Sequence, residues 1–397
     1  MNVLELKKNF YSIGYVDHAL KVFDVAVLTN EGTSYNSYLL KTPNGTVVWE
    51  TVKAPFVDAY LEHLQEVSSV QDIKYLFVTH TEPDHSGSIA RLLDLNPNIT
   101  IVASPAALIN LTHILRRPFN QMAMNPAKPF SFGGYTFQFV SGLMLHWPDV
   151  MFTYIPELKV LISCDAFGGH FASDAMLLSK EPNRKGYYEA VDYYFDHIMA
   201  PFASFIVPAC DRVASLDINM ICPGHGPVID QDIQKQIQIY RHRAERYLPV
   251  HDQKHVTIVY ASAYGYTRKM AEYLRDRFTQ DGKQVSFYEI DALNYERERD
   301  AILNDIRTSG TLLLGSPTLV GDAISLFYDL LSHIYWTMGQ GKKASAFGDY
   351  GWSGEAVKNL SERLTELHFK VIPGFRFAFA LDEEGQEQLA AYYETLK

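Results

Sequence analysis

The sequence predicts an α/β chain in two parts, an αββα sandwich followed by a doubly wound parallel sheet. Three observations carry this. Short strand-like runs crowd residues 20–60 and return after 136. From residue 255 onward, strand and helix patterns alternate regularly, as parallel sheets with crossover helices do. Between these regions a helical pattern over 231–247 ends at Pro249 and the polar run HDQKH. That break gives domains at 1–250 and 255–397.

The elements follow in order. VFDVAVL, SYNSYLL and GTVVWETV read as strands, with EGTSYN and TPNG as turns. DAYLEHLQEV reads as a helix, YLFVTH as a buried strand and GSIARLLDL as a helix. NITIVAS is a strand and PAALINLTHIL a helix; then TFQFV, VMFTYI and KVLISC are strands. In the second part HVTIVYAS is a strand. YTRKMAEYLRDRF is a helix whose Met270, Leu274 and Phe278 recur on one face. QVSFYEID, GTLLLGSP, KKASAFGDYG and KVIPGFRFAF supply four more strands. The helices RERDAILNDI, AISLFYDLLSHIY and GEAVKNLSERLTEL separate them, and GQEQLAAYYETL closes the pattern.

Composition bounds the function. The chain has 397 residues, 47% hydrophobic and 13% aromatic, enough for well-formed cores. Its net charge of −11 disfavours general nucleic-acid binding, which relies on basic patches. Cys164, Cys210 and Cys222 form no CxxC pair, so no disulfide framework or zinc ribbon is expected, and a reducing cytoplasm is. The opening MNVLELKKNFYSIGYVD has no long apolar core, so no secretory leader is expected. No stretch approaches the ~20 apolar residues of a membrane span.

Chemistry concentrates in two places. His80, Glu82, Asp84 and His85 lie within the run HTEPDHSGS, after a buried strand and before a helix. His146 in LMLHWPD, Asp165 in LISCDAFGG and His225 in CPGHGP follow other strand-like segments. Four His, two Asp and one Glu are too many for one tetrahedral ion but suit two ions bridged by a carboxylate. His18, His63, His113, His242 and His368 stand without such company and read as structural. In the second part, ASAYGYT follows a strand and opens a helix. Ser262, Tyr264, Gly265, Tyr266 and Thr267 offer hydroxyls and N–H groups at the helix start, a phosphate cradle. The turn is not Gly-Lys-Ser/Thr, which disfavours a P-loop NTPase.

The His-x-x-x-Asp-His run, with His, Asp and Pro-Gly-His-Gly following, resembles the metallo-β-lactamase superfamily. Zinc hydrolases of that superfamily usually carry His where Glu82 stands, and a carboxylate favours iron. The His-x-Glu-x-Asp-His form, joined to a flavodoxin-like domain, resembles the flavodiiron proteins over nearly the whole chain. The resemblance implies that His80, Glu82 and His146 bind the iron nearer the flavin. Asp84, His85 and His225 would bind the other, and Asp165 would bridge them. Glu50, Trp147, His170 and Tyr194 are candidates around those ligands, and Cys164 reads as a packed small residue. His170 and Tyr194 would face the bound gas.

Ser-x-Tyr-Gly-x-Thr likewise resembles the FMN-phosphate loop of flavodoxins. SPTLVGD, with Pro317, Thr318 and Leu319, would edge the isoalloxazine. GDYGWSGEA, with Gly348, Asp349, Tyr350, Gly351, Trp352 and Gly354, would flank it. Two departures stand out: Val320, Gly321 and Asp322 replace the family's Asn residues, and Asp349 replaces a small residue. A carboxylate beside the flavin would disfavour its anionic reduced form.

The resemblance implies FMN and two irons as cofactors, and reduction of O2 to water, NO to N2O, or both. Chains of this family without a fused rubredoxin lean towards O2. It implies a head-to-tail homodimer or dimer of dimers in which Trp352 reaches the partner's irons. It also implies an external donor: a rubredoxin, a flavin reductase or a reduced deazaflavin. Two other readings compete: a zinc hydrolase with an accessory flavodoxin domain, and an electron carrier with a structural metal. Glu82 speaks against the first and the complete ligand set against the second.

Overall fold

Leu39, Val48, Leu76 and Ile101 lie on one face of a sheet, and Leu40, Val47, Phe77 and Val102 on the other, as strand alternation requires. In the computed structural model, which describes residues 3–397, both faces are buried. Met1 and Asn2, which open the segment read as lacking a leader, lie outside the described residues. The chain divides between Arg246 and Tyr247 into two units.

The first unit is built on two sheets. One has seven strands in the spatial order Leu4–Lys7, Phe10–Ser12, Tyr38–Thr42, Gly45–Trp49, Ile73–Val78, Thr100–Ala103, Asn120–Ala123. The first four pair antiparallel, and from Gly45–Trp49 onward the pairing is parallel. The other has five strands, Phe130–Phe132, Tyr135–Ser141, Met151–Ile155, Val160–Cys164 and Met220–Pro223. Phe10, Trp49 and Phe77 from the first sheet and Phe137, Ile162 and Cys222 from the second fill the space between them. The outer face of the first sheet packs on Val57–Val67, Ile89–Leu95 and Pro105–Leu115 through Leu64, Leu92 and Leu111. This is the αββα sandwich that the sequence predicts.

The second unit is a sheet of parallel strands in the order Gln284–Glu289, Asp252–Tyr260, Ser309–Gly315, Lys343–Tyr350, Lys370–Val371, with Phe375–Ala378 also paired to Lys343–Tyr350. Numbered along this unit, the order is 2-1-3-4-5, a doubly wound arrangement whose ligands sit at the carboxyl ends of the strands. Met270, Leu274 and Phe278 are buried against one face, as their spacing predicts. Among the described residues no helix is long and apolar enough to cross a membrane.

Three readings need correction. VFDVAVL is no continuous strand: Val22–Phe23 and Val27–Leu28 pair as a tight ribbon, with Asp24 and Val25 at φ 45° and 58°. SYNSYLL divides between two sheets, because Asn36 turns away to donate its N–H to the Gly224 carbonyl. KVIPGFRFAF is two strands, since Pro373 has no N–H to donate to a ladder. The helices Arg184–Tyr194 and Ala203–Ala214 lie in a region to which the sequence reading gave no element.

Candidate metal centre and flavin face

Strand ends position the ligand-type side chains of the first unit. His80 follows Ile73–Val78, Asp165 follows Val160–Cys164 and His225 follows Met220–Pro223. Asp84 and His85 ride on the short helix Pro83–Ser86, and His146 lies between two strands of the second sheet. The seven side chains converge into two groups. In one, Glu82 Oε2 is 3.2 Å from His80 Nε2 and 3.1 Å from His146 Nε2, and Asp165 Oδ2 is 3.1 Å from His146 Nε2. In the other, Asp84 Oδ2 is 3.1 Å from His225 Nε2, and Asp165 Oδ1 is 2.9 Å from His85 Nε2. Asp165 thus offers one oxygen to each group. Ligand atoms ~2.1 Å from an octahedral ion stand about 3 Å apart along an edge, which matches these separations.

Other side chains aim the imidazoles. His80 Nδ1 lies 3.0 Å from Asp149 Oδ1, and Asp149 Oδ2 accepts the Thr81 N–H at 2.9 Å. His225 Nδ1 is 2.6 Å from the Ser34 carbonyl, which fixes the proton there and frees Nε2. Asn36 Nδ2 donates to the Pro223 and Gly226 carbonyls at 2.9 and 2.8 Å and holds the His225 turn. Gly224 is required beside it, since a Cβ there would stand 2.6 Å from His85 Cε1. Asp149, Ser34 and Asn36 escaped the sequence reading. Asp149 had a signal, three residues after His146, whereas Ser34 and Asn36 had none.

Charge and burial conflict here. Burial opposes ionisation of Asp165, but His85, His146 and His225 hold its carboxyl well below the usual range. Burial likewise pulls the imidazoles down. Asp84 and Asp165 nonetheless bring His85 up to about 10, and Asp165 and Glu82 bring His146 up to about 9. Asp84 keeps both carboxylate oxygens buried without a hydrogen bond, and so does His85 its Nδ1. Such a dense set of buried carboxylates and imidazoles fits two hard cations.

His170 is buried, with Nδ1 2.9 Å from Thr33 Oγ1 and Nε2 without a partner. Its ring is 4.9 Å from that of His225 and 4.8 Å from that of Tyr194. Burial and then the charge of His225 push it down to about 3, so it is neutral near pH 7. His170 and Tyr194 also line a cavity of about 240 Å³. Trp147 packs edge-on to His80 at 5.0 Å, and buried Glu50 accepts the Thr79 N–H at 2.7 Å. At the ribbon turn, burial first and then the neighbouring Glu82 carboxylate raise the Asp24 carboxyl to about 6. Cys164 is buried.

In the second unit, loops leave the carboxyl ends of adjacent strands. Ser262 Oγ accepts the N–H groups of Gly265 and Arg268 at 3.1 and 3.2 Å, and Gly265 takes φ 86° to open the helix Tyr266–Gln280. After Ser309–Gly315, Thr318 donates its N–H to the Asp349 carbonyl at 2.9 Å. Leu319 and Asp322 close a turn with Val320 and Gly321 at positive φ. Gly348 is obligatory, since a Cβ would stand 1.8 Å from the Ser316 carbonyl oxygen. Tyr264 and Trp352 are 85% and 82% exposed, which packing within the unit does not explain. Tyr350 and Gly354 pack together, and Gly351 faces Phe379. Hydroxyls at a helix start beside exposed rings fit a flat aromatic ligand carrying a phosphate.

Residues 33–226 match the family model described as ODP family beta lactamase, and residues 258–393 match that of flavodoxin. The chain is 33% identical over 389 residues to the flavo-diiron protein FprA2 of Clostridium acetobutylicum, covering 97% of this chain and 96% of that one. It is 30% identical over 366 residues to a nitric oxide reductase of Moorella thermoacetica, covering 91% and 89%. Among solved structures it is similar to the rubredoxin oxygen:oxidoreductase of Desulfovibrio gigas, with TM-score 0.66, 27% identity and coverage of 99% and 97%. It is also similar to the flavodiiron protein of Giardia intestinalis, with TM-score 0.64, 27% identity and coverage of 100% and 96%.

Proposed function

The chain belongs to the flavodiiron proteins, and from that premise we propose how its own residues serve the family's reaction. It is an oxidoreductase of O2, NO or both, with FMN and a pair of irons as cofactors. The zinc-hydrolase reading is not favoured by these relationships. The observation that carries the assignment below is the split of the Asp165 carboxylate between two groups of ligand atoms.

His80, Glu82 and His146 would hold the iron that the family resemblance puts nearer the flavin, Asp84, His85 and His225 would hold the second, and Asp165 would offer an oxygen to each. The irons and the flavin, when bound, supply the electrons: four with four protons for O2 to two waters, or two with two protons for two NO to N2O and water. The three carboxylates, Glu82, Asp84 and Asp165, would offset much of the charge of two dications, and the imidazoles would bind neutral. Asp149 orients His80, and the Ser34 carbonyl orients His225. The Thr33 hydroxyl pairs with His170 Nδ1 and fixes the ring beside His225, a ligand for the second iron. Tyr194 closes the same side and excludes bulk water.

The work divides between a diiron domain over 1–250 and an FMN domain over 255–397. Ser262, Tyr264, Gly265, Tyr266 and Thr267 take the phosphate end of FMN. Pro317, Thr318 and Leu319 edge the ring, and the 348–354 loop with Tyr350 and Trp352 flanks it. The family resemblance supports a head-to-tail dimer, an external donor such as a rubredoxin or flavin reductase, and a cytoplasmic setting.

Metal analysis of the full chain tests the assignment. Two irons and one FMN per chain are expected. Stoichiometric zinc retained in iron-replete preparations would overturn it.

A further inference from the structure

Thr267 is fully buried, and both its N–H and its hydroxyl donate to one oxygen of the Asp349 carboxylate, the N–H at 3.1 Å. Thr267 is the last residue of the turn assigned to the FMN phosphate, and this inference rests on that assignment. Ser262 Oγ already accepts the N–H groups of Gly265 and Arg268. Four donors at this helix start are therefore taken by the chain itself, one pair of them by a carboxylate.

Asp349 has little freedom to withdraw. It is the next-to-last residue of the strand Lys343–Tyr350, pairs with Phe377 across the sheet, and its carbonyl accepts the Thr318 N–H. It is only 9% exposed. Its side chain alone can turn aside. A phosphate dianion drawn to the helix dipole meets a negative group already seated on it, and like charges at contact distance repel strongly where water is excluded.

We propose that Asp349 is the specificity-determining residue of the flavin site. It occupies the Thr267 donors when flavin is absent, and the phosphate of FMN must displace it. The phosphate then contributes little net affinity, and the site holds FMN and riboflavin with similar strength. No bond is made or broken; the carboxylate and the phosphate exchange one set of hydrogen-bond donors.

The test is flavin titration of the full chain after flavin removal, followed by quenching of flavin fluorescence. FMN and riboflavin are compared on the parent protein, on Asp349→Ser and on Asp349→Asn. Circular dichroism shows which variants keep the fold, and either one suffices. The inference expects FMN and riboflavin affinities within about tenfold of each other on the parent protein. It expects Asp349→Ser to tighten FMN by roughly ten- to a hundredfold while riboflavin moves less than about twofold. Excess inorganic phosphate should then compete with FMN more effectively on the variant than on the parent. Unchanged FMN affinity in a folded variant would overturn the inference. Equal gains for FMN and riboflavin would also overturn it, because the carboxylate would then act on the ring. Failure of the folded parent and variants to bind either flavin would instead remove the cofactor assignment beneath it.

Discussion

Asp149 Oδ1 stands 3.0 Å from His80 Nδ1, on the side of the imidazole away from Glu82 and Asp165. The contact fixes the tautomer that presents Nε2 to the metal. Because Thr81 holds the other oxygen of Asp149, the carboxylate cannot follow a turning ring without breaking two further hydrogen bonds.

Asp149→Asn keeps the shape and removes the charge. Orienting carboxylates of this kind are worth roughly 10–100-fold in metal affinity or activity. Iron retained after dialysis against a graded chelator should fall by that factor, with unchanged circular dichroism. Retention equal to the parent protein would show that His80 needs no orienting partner.

Asp165→Ala should differ in kind from His225→Ala. Asp165 offers an oxygen to each group, so its removal should deplete both irons. His225 meets only ligand atoms of the second group and should cost one iron. Iron per chain measures the difference, and the loss of a single iron in Asp165→Ala would argue against a bridge.

Metal loading should release protons. In the metal-free protein His85 and His146 hold theirs up to about pH 10 and about 9. Despite its burial, His80 is likewise held well above the usual imidazole range by Asp149 and Glu82. At pH 7 all three are therefore charged and must deprotonate to bind a metal, and on the order of three protons leave per chain. Calorimetry of Mn(II) binding in buffers of different ionisation enthalpy reads this number. The folded pKa values lie above the unfolded value, so the ion-pair cluster stabilises the metal-free protein fully below about pH 6.5. That contribution is lost as pH rises through about 9 to 10. A metal-free protein whose melting temperature rises over that range would contradict the reading.

Asn36→Ala removes two donors to the carbonyls that shape the His225 turn. The Pro223 carbonyl keeps the Tyr38 hydroxyl at 2.6 Å and the Gly226 carbonyl only a 3.5 Å contact with Ser34 Oγ. The two lost bonds therefore cost roughly 1–3 kcal/mol, a fall of about 2–12 °C in melting temperature for a domain of this size. The loss should fall on the first unit, and its second iron should be the more easily chelated.

The sequence made parts of this legible for physical reasons. HTEPDH packs ligand-type residues too closely for a solvated turn, and Pro-Gly-His-Gly sets its histidine directly after Gly224, where only glycine fits beside His85. The second unit was legible because each of its strands and helices is a local pattern. The supports were not: Asn36 meets Pro223 from 187 positions away, and Asp149 meets His80 from 69. No local pattern encodes such contacts. VFDVAVL misled because its alternation suits a strand, whereas Asp24 and Val25 take positive φ and fold it into a tight ribbon. Asp349 stood out as a departure near the flavin, but its seat on Thr267 needed the register of two strands and a helix to emerge.

The most direct test of the central claim is turnover. The anaerobically reduced, FMN- and iron-loaded full chain is mixed with O2 and, separately, with NO under one donor, alongside His146→Ala. The account predicts consumption of at least one gas, to water or to N2O, and its loss in the variant. If neither gas is consumed with both cofactors present, or if the variant turns over like the parent, the account is contradicted.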